Sequence, residues 1–302
     1  MNVRRSISGA GSAVTTIIAT ICVAAITGCT GCYFGQEKYE RTEHLESPLA
    51  AAGQFAAQTH NGAITVAGVD EPICRVSARI IGYAPKIEDA KRLAEQVRVS
   101  LVARDGGLAT RVEKPHIPMR CGLCVEFDVS LPRQTSLDLE THNGAIRIAD
   151  IAGDAKAVTH NGDMRVDRLT GNANLETYNG AVRAETVTGR LELKTHNGEI
   201  VCRQIAGPLN ATTHNGQVEV VCGESAGPPL DARITTHNGD ITFVAPPNLS
   251  AKTTLRTHNG SVKTAIPITV QGEISKSRLT GTAGSGEGTL HLETHNGSIS
   301  LR

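Results

Sequence analysis

The stretch Leu139-Glu140-Thr141-His142-Asn143-Gly144-Ala145-Ile146-Arg147-Ile148 decides the fold, because it comes back. Its Thr-His-Asn-Gly centre recurs as Thr159-His160-Asn161-Gly162, Thr177-Tyr178-Asn179-Gly180, Thr195-His196-Asn197-Gly198 and Thr213-His214-Asn215-Gly216, at an unbroken interval of 18 residues. A fixed period near 20 signals a repeat architecture. After each glycine the chain alternates, so that Ile146 and Ile148, Met164 and Val166, Ile200 and Cys202, and Val218 and Val220 share one side. Period 2 predicts strands with that side buried. A second glycine (Gly153, Gly171, Gly189 or Gly207) marks the middle of each unit, and another alternating run, such as Leu191-Glu192-Leu193-Lys194-Thr195, leads to the next Asn-Gly. Each unit reads as two strands and two tight turns, a coil roughly 60 Å around at about 3.3 Å per residue.

One coil cannot bury its apolar side alone, whereas stacked coils can. The expected fold class is all-β, a single-stranded β-solenoid of 18-residue coils with a small N-terminal α+β cap. The alternative is an antiparallel β-hairpin array or barrel, since Asn-Gly between alternating runs is also a hairpin signal. The solenoid is preferred because like residues at like offsets form self-complementary columns when layers stack in register about 4.8 Å apart. Parity then points the threonines inward and the histidines outward. It turns the asparagines inward at the corner as an amide ladder, and the glycines supply a positive φ. The repeat turns so defined are Asn61-Gly62, Asn143-Gly144, Asn161-Gly162, Asn179-Gly180, Asn197-Gly198, Asn215-Gly216, Asn238-Gly239, Asn259-Gly260 and Asn296-Gly297.

Outside the repeats the chain divides into three further parts. Residues 1–29 have the layout of a lipoprotein signal peptide: Arg4 and Arg5, then an apolar run from Ala13 to Ile26, then Ile26-Thr27-Gly28-Cys29. That ending resembles a lipobox, in which the residue matching Cys29 is acylated. Thr30 in place of an aspartate points, by analogy with bacterial sorting, to the outer membrane. An ordinary cleaved signal or a membrane-spanning helix is the competing reading. Two or three acyl chains would hold the protein on membrane lipid. Residues 30–52 are polar and read as a tether. Residues 53–135 hold an early copy, Thr59-His60-Asn61-Gly62, then the α+β cap, whose helix carries Ile87, Ala90, Leu93, Ala94 and Val97 on one face. Residues 136–302 are the solenoid. Beyond Cys222 the intervals become 23, 21 and 37 residues, with insertions expected as rim loops. The chain ends at Arg302, directly after a strand, which suggests an open C-terminal edge and self-association through it.

A strand–helix–strand cap feeding Thr-x-Asn-Gly-x-apolar-x-apolar coils resembles the bacterial "putative adhesin" β-solenoid family, a domain of unknown function in envelope proteins, over roughly residues 50–302. The resemblance implies an envelope location and an adhesion or scaffolding role, with an envelope protein or a polysaccharide as partner. It implies no catalytic residues. Two departures stand out: a histidine precedes nearly every repeat asparagine, and the signal is of the lipoprotein type.

The chemistry on offer is narrow. Thirty basic and 30 acidic residues in 302 give no electrostatic case for nucleic acid, and Trp is absent. The outward histidines invite a metal reading, with His142, His160, His196 and His214 as candidates for Zn, Cu or Ni. A structural column is favoured over it, because metal sites want converging ligands, and Tyr178 substitutes ring for ring. No cofactor is expected. Neighbouring imidazolium ions about 4.8 Å apart repel by roughly 1 kcal/mol even in water, so stability should fall on acidification. Among the cysteines, Cys121-Gly122-Leu123-Cys124 has redox or half-zinc spacing without its usual company. Structural bridging, Cys74 to Cys121 or Cys124, is the preferred reading, with Cys202 and Cys222 about 8 Å apart and too distant to join. A polysaccharide-acting β-helix enzyme would need a carboxylate pair on neighbouring coils. Instead Arg147, Arg165 and Arg183 line one offset, with Asp150, Asp167 and Glu185 nearby, which reads as a solvated face. The sequence therefore points to a lipid-anchored, non-enzymatic envelope protein.

Overall fold

The computed structural model describes residues 36–104, 106–224, 226–227, 229–270 and 274–302. The signal-peptide reading and Cys29 lie outside these residues. Before the repeats come β1 (Glu37–Pro48), β2 (Gln54–Asn61), β3 (Ile64–Val69), β4 (Ile73–Ala84), α1 (Ile87–Glu95), β5 (Arg98–Arg104), β6 (Gly107–Glu113) and β7 (Gly122–Pro132). The first full unit is β8 (Ser136–Asn143) with β9 (Ile146–Ile151), and later units repeat that pair.

Units stack in parallel and in register. Leu139 lies opposite Ala157, Thr141 opposite Thr159 and Asn143 opposite Asn161 on one side, while Ile146 lies opposite Met164 and Ile148 opposite Val166 on the other. The same correspondence continues from Met164 through Val182 and Ile200 to Val218. The chain is thus a β-solenoid, and the antiparallel array does not describe its repeats. Among the described residues the strands form a 12-stranded and a 13-stranded sheet. Their inner faces meet over Leu139, Ile146, Met164, Leu175, Leu193 and Ile200, each no more than 1% exposed. Every such side chain is worth roughly 1.5–3 kcal/mol of burial.

The threonine column is buried as parity required, and each hydroxyl finds an acceptor. Thr159 Oγ1 donates to Gly144 O, Thr177 Oγ1 to Gly162 O and Thr195 Oγ1 to Gly180 O, all at 3.0 Å. The repeat glycines correct the expectation in part. Gly144, Gly162, Gly180, Gly198 and Gly216 lie outside the left-handed region, although Gly62, Gly239 and Gly297 have φ 140°, 157° and 158°. They are glycine because layers touch there: a Cβ on Gly162 would sit 2.0 Å from Gly144 O. Left-handed backbone appears elsewhere, at non-glycine residues one per coil: Asp150, Arg168, Thr186 and Gln204, with φ between 52° and 60°. The ladder steps over them without losing register, pairing Asp167 with Glu185 and then Leu169 with Val187, because each coil skips the matching residue.

Three further expectations change. Much of the 30–52 tether is β1, which pairs antiparallel with β4 and buries Leu45, with Leu49 buried just after it, while the Arg41 guanidinium donates to the carbonyls of Ala94 in the last turn of α1 and of Val97 just beyond it. Its polar alternation is that of an edge strand. The cap is otherwise α+β as expected, with β7, β4 and β1 extending one sheet past β3, β6 and β5 extending the other past β2, and α1 packed on β4 and β1.

Next, the C-terminus is not the end of the rod. Gly288–Asn296 and Ile299–Leu301 insert between the unit of Asp231–Asn238 with Ile241–Val244 and the unit of Ala251–Asn259 with Val262–Thr264. The antiparallel strands Arg278–Ala283 and Thr269–Val270 then cover the outermost edge of one sheet, while in the last strand of the other, Val262–Thr264, the Val262 N–H donates to Lys276 O at 2.9 Å. The open edge expected at Arg302 is therefore an interior layer.

Finally, no disulfide joins Cys74, Cys121, Cys124, Cys202 and Cys222 among the described residues. Cys124 pairs with Ile81, seven residues along β4 from Cys74, or about 23 Å, which rules out a bridge. Burial pushes the Cys74 and Cys222 thiols up to about 12, and raises Cys202 as well, so these are inert packing groups.

Candidate functional site

The outward residue before each repeat asparagine builds one feature along the rod. His60, His142, His160, Tyr178, His196, His214, His237, His295 and His258 follow one another with ring centroids 4.6–4.9 Å apart. Nine rings at that step span roughly 38 Å, since strand spacing sets the layer rise. From His60 to His160 successive planes differ by only 4°, whereas between His214 and His237 they differ by 37°. The order of the last two rings follows the inserted C-terminal layer, so His295 precedes His258.

Behind the rings runs the asparagine ladder. Asn143 Nδ2 donates to Asn61 Oδ1, Asn161 Nδ2 to Asn143 Oδ1 and Asn179 Nδ2 to Asn161 Oδ1, each at 2.8 Å, and the series continues through Asn197, Asn215, Asn238 and Asn296 to Asn259. The amides sit at the corner, half-buried or exposed, rather than turned fully inward. His196 Nδ1 and His237 Nδ1 lie 3.1 and 3.2 Å from the Oδ1 atoms of Asn197 and Asn238, which ties rings to ladder.

The column forms one wall of a trough of about 760 Å³, floored by the threonines and walled opposite by Glu140, Val158, Glu176, Lys194, Thr212 and Thr235. Because the ring faces are spent on one another, the trough meets ring edges. Those edges carry N–H donors and nitrogen acceptors at a regular step. The candidate metal residues His142, His160, His196 and His214 all belong to this column. In-plane lone pairs of rings stacked 4.8–4.9 Å apart, with planes 4° apart for His142 and His160 and 24° for His196 and His214, lie side by side, and a zinc ion needs nitrogens converging at about 2.1 Å. Among the described residues no group of three His, Cys, Asp or Glu side chains could hold a metal.

Two of the three stripe arginines, Arg165 and Arg183, are ion-paired, and Arg147 has no ion pair among the described residues. Arg165 Nη2 lies 3.1 Å from Asp167 Oδ2 and 3.3 Å from Glu185 Oε2, Arg183 pairs with Glu199, and Arg168 meets Asp150 at 2.8 Å. The Arg168 guanidinium, helped by Arg133, holds the half-buried Asp150 carboxyl down at about 2.

At the N-terminal end of the column His60 has its proton affinity lowered, first by partial burial, then by His142 and Lys114. With folded-state affinity below the ordinary 6.5, the unfolded chain takes the proton first. This contribution to stability is intact above that pH and is lost as pH falls through and below it. Urea midpoints at pH 7.5 and 5 should therefore differ more for the wild-type protein than for His60→Gln. Equal differences would show that His60 carries none of the acid sensitivity.

Alternation told the sequence where the rings point, but not the trough's opposite wall, which needs both outward rows in place. Nor did it show the cavity beyond His60, built from the cap.

Residues 124–302 match the family model described as Toastrack DUF4097. Solved structures similar to the chain include a "putative cell adhesion protein" from Clostridium sporogenes (12% identity, 86% of this chain and 98% of that chain, TM-score 0.27). Two others are titled "putative adhesin", one from Bacteroides fragilis (12%, 86% and 97%, 0.42) and one from Parabacteroides distasonis (8%, 86% and 97%, 0.41). At such scores the likeness carries no weight beyond the match itself. No curated protein matches the chain. The family match spans well over half of the chain and takes in every repeat except the first. The chain belongs to the Toastrack DUF4097 family.

Proposed function

We propose that the protein is a cell-envelope protein, acylated at Cys29 and held on the outer membrane, whose rod acts as a non-enzymatic adhesion or scaffolding surface for an envelope polysaccharide. The observation that supports this most is the ring column with its trough: one hydrogen-bonding edge every 4.6–4.9 Å along a rigid corner. A polymer with repeating hydroxyls can meet several layers at once, so weak contacts add through effective concentration. In-register stacking fixes the spacing beforehand, which lowers the ordering cost of binding.

Immobilised rod exposed to isolated envelope polysaccharide is expected to retain it without changing its chain length or its number of reducing ends. The triple variant His160→Ala, Tyr178→Ala, His196→Ala should hold it about tenfold less tightly if three layers contribute. Retention unaltered in that variant, or new reducing ends, would reject the reading. Anchoring is tested separately: Cys29→Ser should abolish incorporation of a labelled fatty acid and release the protein from membranes. Continued labelling would place the anchor elsewhere.

A further inference from the structure

We infer that the cavity closing the N-terminal end of the ring column binds a small amphiphilic anion, a flat apolar body bearing one carboxylate or sulfonate. The cavity exists because the column runs out of rings before the fold runs out of walls. In ordinary layers the threonine and asparagine bond to the unit before them. In the first layer Thr59 Oγ1 donates instead to Val125 O at 2.9 Å, and Asn61 Nδ2 to Leu123 O at 3.2 Å. Strand β7 thus stands in for a missing unit but brings no ring to the outer corner. Beyond His60, the β5–β6 hairpin and the residues after it overhang a space of about 830 Å³. That is within the size range of small-molecule sites.

Its lining suits such a ligand. Val102, Val112, Ile117, Leu123 and Val125 give apolar walls beside the terminal ring, so a flat ring resting near His60 would add one more member to the column. Arg104, Arg111 and Lys114 bring three cations against one lining carboxylate, Glu140. None of the three has an ion-pair partner among the described residues, in contrast to Arg165, Arg168, Arg183 and Arg203 on the rod. The Thr110 hydroxyl, also in the lining, is buried with no hydrogen-bond partner. An unmet hydroxyl and three unmet cations around an apolar chamber fit a ligand that brings both an acceptor and a ring.

Anilinonaphthalene sulfonate is the probe, titrated by fluorescence into the folded protein at neutral pH. Saturable binding at one site per chain is expected. Arg111→Glu with Lys114→Glu, both exposed and so harmless to folding, should weaken it about tenfold or more through lost charge complementarity. Lys156→Glu with Lys252→Glu, an equal charge change on the outer sheet face, should leave it unaltered. The neutral analogue N-phenylnaphthylamine should bind more weakly than the sulfonate. Equal loss in both double variants, no loss in the first, or equal affinity for the neutral dye would each overturn the site. The outcome is independent of polysaccharide retention, which involves layers further along the rod.

Discussion

Alanine at position 180 is expected to lower folding stability by ~3 kcal/mol, a fall of about 6–10 °C in Tm for a chain of this size. The sign decides between two effects. Gly180 is outside the left-handed region, so backbone entropy alone would make Gly180→Ala stabilising by about 0.4–1 kcal/mol. Against that, the new Cβ would lie 2.0 Å from Gly162 O and 2.5 Å from its carbonyl carbon, where no side chain can swing aside. Relief requires lifting one layer off another. That strains the Gly162 N–H bond to Asn179 O and the bond from Thr177 Oγ1 to Gly162 O, both 3.0 Å. Overpacking against backbone should win. Arg165→Ala, on the exposed outer face, should stay within about 0.5 kcal/mol and serves as the control. Thermal denaturation of the two variants settles it, and an alanine at 180 that stabilises the protein would refute close layer contact at this corner.

Leu292→Asp is expected to be costlier still, more than about 4 kcal/mol, because it buries a carboxylate with nothing to pair it. Leu292 is fully buried and lies between Ile234 on one side and Leu255 on the other. The informative quantity is where the damage spreads. Hydrogen exchange should show lost protection in both Asp231–Asn238 and Ala251–Asn259, the strands flanking the inserted layer. If the units stacked in chain order, Leu292 would belong to the last layer, and exchange would rise on one side of it only. Protection retained throughout Asp231–Asn238 would therefore contradict the inserted arrangement.

Much of this protein was legible before any coordinates. The 18-residue period fixed the coil, and the alternation after each Asn-Gly fixed which residues face inward. Identity at equal offsets fixed the register, because only parallel stacking lays Thr159 on Thr141 and Thr177. These are short-range facts, repeated until they could not be accidental. What tertiary structure alone decided is the order of the layers and their ends. Every unit presents the same threonine, asparagine and glycine columns to its neighbours, so any unit can stack on any other. The choice that puts the unit of Asn296 between those of Asn238 and Asn259 belongs to the connecting loops and to the antiparallel cover of Arg278–Ala283. The left-handed corners at Asp150, Arg168, Thr186 and Gln204 carry no shared side chain, and the polar β1 pairs only because the cap offers it an edge. The cavity beyond His60 is likewise a product of where the column stops, which no single stretch of sequence encodes.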